Sequence, residues 1–457
     1  MSRVDPTGRV GRLLSAAVPP WMDRNLRLIL ATRMAMSVGR AILSIVTALY
    51  LAALGFSGLE IGALFVGVTF ASALMASAVG FLSDRVGRKP FLVAVPLVAA
   101  VAAASYAATR ATAVLFVAAA LGSFGRGAGA GGGNIGPYQP AESAFIAEDV
   151  PAGKRVDAFG RVAFTSVLGG LVGGLLTQLV DAGPHTSVRA ALGAYRPAFV
   201  AAAVLFFLGG LLALGLVEPA GHHTHRSRPG RGGRWPRRSW PALWRLWVTN
   251  GTNGVAMGLF APFMSYWMYR RYGVGAGQIG LLFAVVNVGS LAATLVASRI
   301  GARFGTVRAI SAVRALGGLL ILPMVLAPTF WAAGAAYFLR MLAQRIGMPL
   351  RLSFVQDLAD PAERATVAAL STVPAQVTMA GGQTLAGYLF DEVSLSAPFE
   401  IAAVFQCINA ALYAVLFGLH PPRRAAPGVG PAAGAGRPGG EAGSMGRDQT
   451  REEVQAP

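Results

Sequence analysis

Long apolar runs alternate with short polar stretches along almost the whole chain. Residues 43–54, 91–108 and 200–217 are examples of such runs. An apolar run of about 20 residues spans a bilayer as a helix, because each residue adds about 1.5 Å. The pattern predicts an all-α membrane protein with about twelve transmembrane helices. The predicted spans are 26–54, 58–82, 90–109, 112–137, 158–180, 197–217, 243–269, 276–298, 309–327, 330–355, 366–390 and 398–419.

Basic residues fall mainly on alternate loops between the spans. With a cytoplasmic N-terminus, the outside loops hold only Arg110, Arg189, Arg196, Arg270 and Arg271. Cytoplasmic loops of membrane proteins carry an excess of Lys and Arg. We therefore expect a multi-pass protein of the cytoplasmic membrane with both termini in the cytoplasm. The net charge of +19 then belongs to the inner membrane surface, and no nucleic-acid partner is expected.

The second part of the chain repeats the first. Residues 60–65 match residues 278–283, and residues 85–87 match 303–305 at the same shift. Such a repeat favours two pseudo-symmetric six-helix bundles with a pathway between them. The expected segments are a cytoplasmic tail (1–25), an N-terminal bundle (26–217), a basic central loop (218–242), a C-terminal bundle (243–420) and a disordered tail (421–457).

Residues 80–90 read Gly-Phe-Leu-Ser-Asp-Arg-Val-Gly-Arg-Lys-Pro. This stretch resembles the motif between the second and third spans of major facilitator superfamily transporters, and the layout of residues 25–420 resembles that family as well. The resemblance implies a secondary transporter with a gate latch that holds the outward-facing state. The latch residues are Gly80, Asp84, Arg85, Gly87, Arg88 and Lys89. The second copy has Ala302 where the first has Asp84.

Charged and amide side chains inside spans are costly and usually functional. The first span carries Arg33 and Arg40 on one polar face, with Arg33 expected to snorkel towards the inner surface and Arg40 near mid-membrane. Glu142 is the one carboxylate expected inside the protein. Snorkelling is also expected of Arg161, Arg345 and Arg351. The candidate substrate or coupling residues are Arg40, Arg126, Glu142, Asn250, Asn253, Arg340, Gln344, Gln376 and Gln383.

An interior rich in arginine and poor in acid attracts anions and repels cations. The sequence therefore favours a secondary active transporter or a facilitator that moves an anionic or zwitterionic small solute by alternating access. A proton-coupled multidrug or metabolite efflux antiporter remains the alternative, although the antiporter branch has Gln-Gly where this chain has Gly129 and Ala130. A membrane sensor or assembly partner without transport is the alternative from another class.

Sequence motifs bear on cofactors, metals and other partners. No phosphate-binding or catalytic motif was found, so neither an enzyme nor a cofactor is expected. His222, His223 and His225 lie in the central loop without a neighbouring acid or cysteine cluster, so no metal site is expected. The expected partners are the lipid bilayer, a small-molecule substrate and a proton as coupling ion, and we expect a monomer.

Overall fold

The computed structural model describes residues 21–124, 136–180, 188–218, 237–360 and 363–418. These residues form fifteen α-helices and contain no strand. The helices are α1 (Arg24–Ala53), α2 (Gly58–Val86), α3 (Lys89–Ala108), α4 (Thr112–Gly122), α5 (Tyr138–Asp149), α6 (Arg155–Leu176), α7 (Val188–Leu214), α8 (Trp240–Phe260), α9 (Met264–Tyr272), α10 (Ala276–Phe304), α11 (Thr306–Leu319), α12 (Ile321–Leu326), α13 (Phe330–Leu358), α14 (Arg364–Glu392) and α15 (Ala397–Gly418).

Three of the predicted spans are not single continuous helices. In the fourth, α4 ends at Gly122 and α5 begins only at Tyr138, with Ser123 in the left-handed region at φ 54°. In the seventh, α8 and α9 meet around Pro262, which cannot donate a backbone hydrogen bond. The ninth is divided between α11 and α12. When each broken pair counts as one span, the described helices make twelve spans, as predicted.

Eight helical stretches in the described parts are long and apolar enough to cross a membrane. They lie in α1, α2, α3, α6, α7, α10, α15 and the pair α11–α12. Of the remaining long helices, α8, α13 and α14 carry many of the amides and arginines of the C-terminal half. Polar side chains inside a membrane protein face its interior rather than lipid, so these helices point to where a polar site lies.

The buried apolar side chains form three clusters that divide the molecule unequally. The largest joins the two halves: it contains residues of α1, α2 and α3 together with residues of α8, α9, α10, α13 and α14. Phe65 and Phe263 meet across the halves within it, with ring centroids 5.5 Å apart. The second cluster lies entirely in α1–α7 and neighbouring residues of the N-terminal half, and the third entirely in the C-terminal half.

Close helix contacts between the halves gather at one end of the molecule, which we call the closed end (the end with Gly58, Gly280 and Asp391). A Cβ atom at Gly62 would lie 2.7 Å from the Gln383 carbonyl oxygen, and one at Gly174 would lie 2.7 Å from the Gly280 carbonyl oxygen. Only glycine lets backbones approach this closely. The pairs α2–α14 and α6–α10 therefore pack backbone against backbone there.

The opposite end, which we call the basic end (the end with Arg88, Lys154 and Arg303), has a different arrangement. There the glycines described on α2 and α10 face their own half: a Cβ at Gly80 would meet Pro140, and one at Gly301 would meet Leu350. The second and third apolar clusters also lie at this end. The halves are thus joined at the closed end and packed separately at the basic end.

Candidate functional site

A carboxylate reaches across the closed end from one half to the other. Asp391, near the end of α14, accepts hydrogen bonds from the backbone N–H groups of Gly58 and Leu59, both at 2.8 Å. These are among the N–H groups that a helix leaves unsatisfied at its N-terminus. Asp391 thus caps α2 from the other half, beside the local capping box of Ser57 and Glu60. Nothing in the sequence indicates this contact of Asp391, since only the fold brings it to α2.

Two of the predicted site glutamines are placed differently from each other. Gln383 is buried at the interface between the halves, where its Oε1 accepts a hydrogen bond from the Thr69 hydroxyl at 3.1 Å. Gln376 is half-buried two turns earlier on α14. Gln383 therefore belongs to the contact that joins α2 and α14, apart from the cavity described below.

The predicted latch motif forms contacts inside the N-terminal half. Arg88 makes an ion pair with Glu148 of α5 at 2.7 Å. The Glu218 carboxylate accepts a hydrogen bond from the Arg88 backbone N–H at 2.6 Å and so caps the start of α3. Gly87, at φ 107°, faces the same carboxylate, and a Cβ there would lie 2.7 Å from it.

The other motif residues take the following positions. The Arg85 guanidinium lies over the Phe81 ring at 4.2 Å, Gly80 lies in α2, and Lys89 begins α3. Asp84 is in α2, but its side chain lies outside the described part. The role of Asp84 as the latch acid remains a prediction.

The N-terminal half holds a buried ion pair between its first and fourth spans. Arg33 is 3% exposed and Glu142 is 2% exposed, and the Arg33 Nη1 lies 2.5 Å from the Glu142 Oε2. The Arg33 Nε also donates to the Ser166 hydroxyl at 2.6 Å. The expectation that Arg33 snorkels is wrong, because its charge is balanced by a carboxylate in the interior. The expected burial of Glu142 is confirmed.

Arg40 forms a hydrogen bond with the backbone where the fourth span is interrupted. Its Nη1 donates to the Ser123 carbonyl at 3.3 Å, just after α4 ends. Helix ends leave carbonyl groups in need of donors, so Arg40 satisfies one of them. Arg126 lies outside the described residues, as do His222, His223 and His225 of the central loop.

The C-terminal half contains a cavity of about 170 Å³ inside its bundle. Residues of α8, α11, α13 and α15 line it. Three of them are arginines, namely Arg314, Arg340 and Arg351. The others are Asn253, Met257, Val313, Gly317, Gln344, Gly347, Met348 and Gln406. We call this space the arginine cavity.

Arg340 is the most buried of the three arginines, at 4% exposure. Its guanidinium carbon lies 3.6 Å from the centre of the Phe260 ring, and its Nη1 lies 3.9 Å from the Met341 sulfur. Its Nε has no hydrogen-bond partner in the described part of the chain. A ring face and a thioether are weak partners for a buried cation, so the charge of Arg340 is poorly compensated.

Amide side chains hold the other two arginines. Arg314 donates to the side-chain oxygens of Asn253, at 2.8 Å, and Asn409. Arg351 donates to the Asn250 oxygen at 3.0 Å, and Asn250 in turn donates to the Ser371 carbonyl at 2.7 Å. The expectation that Arg351 snorkels is wrong, since it lines the cavity instead. Amide oxygens orient the guanidinium groups but do not neutralise them.

The two halves differ in charge at matching positions. After the fourth and tenth spans, Phe145 and Glu148 match Phe354 and Asp357 at a common shift, and the same shift aligns Glu142 with Arg351. In the N-terminal half the fourth-span acid pairs with Arg33 of the first span. In the C-terminal half the tenth-span arginine meets Asn250 of the seventh span. The N-terminal site is therefore internally neutral, and the C-terminal site carries excess positive charge.

Of the predicted candidates, Asn253, Arg340 and Gln344 are brought together in the arginine cavity, and Asn250 lies beside it. Gln344 is exposed at its edge, where its Nε2 lies 3.8 Å from the Met257 sulfur. Asn409 was not foreseen, because a single amide in an apolar span gives no periodic signal.

A carboxylate at the basic end ties α14 to α8. Glu363, just before α14, accepts hydrogen bonds from the backbone N–H groups of Ser239 at 2.8 Å and Arg238 at 3.4 Å. Desolvation acts to raise the pKa of Glu363, but these hydrogen bonds together outweigh it and hold the pKa below its ordinary value. The ionised carboxylate is thus favoured in the folded protein.

The chain is similar to known proteins in sequence and in fold. The Major Facilitator Superfamily profile matches residues 29–251 and 246–444. Multidrug resistance protein MdtG of Dickeya zeae (strain Ech586) is 28% identical over 304 residues, which cover 64% of this chain and 69% of that protein. The uncharacterized MFS-type transporter YceJ of Bacillus subtilis (strain 168) is 25% identical over 152 residues, and the match covers only 39% of its length.

Solved structures share the fold at low sequence identity. A bacterial homolog of the human lysosomal transporter Spinster, in an inward-facing and occupied conformation, superposes with a TM-score of 0.67 at 14% identity, over 87% of this chain and 97% of that one. The xylose transporter XylE of E. coli, in an inward open conformation, gives 0.64 at 13% identity, over 85% and 95%. At such identities the likeness concerns the fold alone.

Proposed function

The chain belongs to the Major Facilitator Superfamily and is a secondary transporter, and we propose that it carries a small solute by alternating access with its basic end in the cytoplasm. The two bundles rock about a site near the middle of the membrane, as expected for two pseudo-symmetric halves. Each step exposes that site to one side only.

The orientation rests on the distribution of basic side chains. Arg85, Arg88, Lys89 and Lys154 lie at or next to helix ends at the basic end, and such residues favour the cytoplasmic side. With this orientation, the closed end faces outwards and the structure is an inward-facing state. The inward-facing conformations named for two of the structural relatives are in keeping with this proposal.

One observation carries the mechanism: a single apolar cluster joins the halves at the closed end, whereas each half has a cluster of its own at the basic end. A molecule built in this way opens at the basic end by moving two preformed bodies apart. The opposite state then requires separation of the glycine contacts at the closed end.

Spin labels test this exchange directly. Cys407 is the only cysteine, so a Cys407→Ser background accepts new label sites. Labels at Val114 and Trp331 report on the closed end, and labels at Val86 and Phe304 report on the basic end; all four side chains are exposed.

Pulsed electron resonance distances in lipid nanodiscs should show two populations. The closed-end distance should lengthen in the population in which the basic-end distance shortens. Distances at the two ends that stay fixed, or that lengthen together, would contradict alternating access.

Proton-coupled efflux of drugs or metabolites is the second candidate. The names of the MdtG relatives favour it, and the buried Arg33–Glu142 pair is an ionisable group inside the membrane. The test compares the wild-type protein with the double variant Arg33→Gln and Glu142→Gln, which removes both charges together. In proteoliposomes with an imposed pH gradient, proton-driven export should fail in the double variant. Export that still follows the pH gradient would exclude the pair as the coupling site.

A further inference from the structure

We propose that the arginine cavity binds the oxyanion of a small organic anion, and that this anion is the solute of the transporter; the second part rests on the proposed function. The cavity lies in the C-terminal half and is reached past Gln344 and Met348, which are exposed at its edge.

The charge of the cavity is the first argument. Among the described residues, its lining contains Arg314, Arg340 and Arg351 and no carboxylate. Guanidinium groups keep their proton in proteins, so the three positive charges persist. A charge removed from water is costly unless an opposite charge accompanies it. An entering anion would lower that cost, whereas an entering cation would raise it.

The comparison with the other half is the second argument. In the N-terminal half, Glu142 neutralises Arg33 at a distance of 2.5 Å. At the matching place the C-terminal half has Arg351, and its partner is the amide of Asn250 on the seventh span. In the part of the chain that the structure describes, the same framework therefore carries its own counter-charge in one half only. In the C-terminal half, the counter-charge must come from the solute.

The shape of the lining is the third argument. A guanidinium group presents parallel N–H donors that match the two oxygens of a carboxylate or phosphate. Next to the arginines, Met257, Val313 and Met348 supply apolar surface, and the Phe260 ring lies under Arg340. A volume of about 170 Å³ suits a compact head group with a small apolar body. The cavity therefore selects a carboxylate, phosphonate or phosphate on an apolar body.

Three ring compounds of similar size test the proposal on the purified full-length protein. Benzoate and phenylphosphonate carry an oxyanion, and phenyltrimethylammonium carries a cation on the same ring. Binding is measured by thermal unfolding in detergent, with millimolar ligand and constant sodium chloride. The two anions should raise the melting temperature saturably, and phenyltrimethylammonium should leave it unchanged.

Variants separate the site from general salt effects. Arg340→Gln should weaken anion binding by about tenfold or more, because a charge-assisted bond is lost. Arg351→Glu should abolish it, since that change gives this half an acid where the other half has Glu142. Arg308→Gln is the matched control: Arg308 is exposed on α11, the helix that carries Arg314. It should bind the anions as the wild-type protein does.

The outcomes distinguish the site from the transport mechanism. Binding of phenyltrimethylammonium in preference to the anions, or anion binding that survives Arg351→Glu, would overturn the site, whatever the spin-label distances show. Equal loss in Arg308→Gln and Arg340→Gln would also overturn it, because the effect would then be general surface charge. Specific anion binding by a protein whose spin-label distances do not alternate would instead contradict the proposed function and leave the cavity assignment standing.

Counterflow of labelled benzoate in proteoliposomes, lost in Arg340→Gln and kept in Arg308→Gln, would establish the anion as the solute. Its absence in a protein that binds benzoate and alternates would refute that part.

Discussion

The cap that Asp391 places on α2 gives the most direct handle on the conformational equilibrium. Its carboxylate joins the halves only while the closed end is shut, through the N–H groups of Gly58 and Leu59. In the opposite state these N–H groups would face water, and the local cap from Ser57 would remain. Asp391→Ala should therefore destabilise the observed state relative to the opposite one.

The size of the effect follows from the nature of the contact. Replacing a capping carboxylate by alanine costs about 0.5–2 kcal/mol, and the interaction of a charge with a helix N-terminus is part of that. Asp391 is exposed, so water competes and a value of about 1 kcal/mol is reasonable. The ratio of the two states should then change by about fivefold. Asp391→Asn, which keeps one acceptor oxygen, should give a smaller change in the same direction.

The spin-label pair at Val114 and Trp331 measures this ratio directly, because the area of each distance peak reports one population. Glu392→Gln is the matched control, since it removes the same charge from the neighbouring exposed position. The cap would have no role in gating if Asp391→Ala left the ratio unchanged. A general charge effect would be indicated if Glu392→Gln changed the ratio equally.

Three further predictions concern other contacts. Glu142→Gln leaves Arg33 buried without its counter-charge, so the free energy of unfolding should fall by about 3–5 kcal/mol; an unchanged denaturation midpoint would contradict the pairing. Gly280→Val inserts a side chain into the α6–α10 contact and should shift the spin-label populations away from the closed end, whereas Gly381→Val, where a Cβ meets nothing within 4 Å, should not. Glu363→Gln should lower the melting temperature at neutral pH. The lowered pKa of Glu363 means that its stabilisation is present above the unfolded-state pKa of about 4.3 and is lost as the pH falls through the folded-state pKa. The wild-type and variant melting temperatures should therefore converge in acid, and a difference that persists there would exclude this cause.

Hydrophobic periodicity predicted the helical fold and the two halves because both depend on local and repeated features. Helix breaks depended on less regular signals: Pro262 marks one and the glycines at and after Gly122 mark another, but glycine also occurs inside membrane helices and is therefore an ambiguous stop signal. The predicted fourth span therefore ran continuously to residue 137. The sequence pattern predicts the positions of the spans, but it does not predict the interruptions within them.

The roles of the interior arginines were harder to predict, since each depends on which helices become neighbours. Arg33 and Glu142 are far apart in the sequence and are paired only by the packing of α1 against α5. Arg351 lies close to a helix end, so snorkelling was a natural expectation, but Asn250 and the cavity hold it inside. Residue type indicated that charges lay in the membrane, and only the fold showed which of them were balanced.

The division of the apolar side chains into three clusters also bears on how the protein is made. The cluster at the basic end of the N-terminal half uses only residues that precede Val217, so it can form while the rest of the chain is still on the ribosome. The joint cluster, by contrast, must wait for α8 and later helices. During synthesis, the side chain of Phe65 therefore remains without its partner Phe263 until the second half has been inserted. That interval is when an assembly factor or a lipid would have apolar surface to shield.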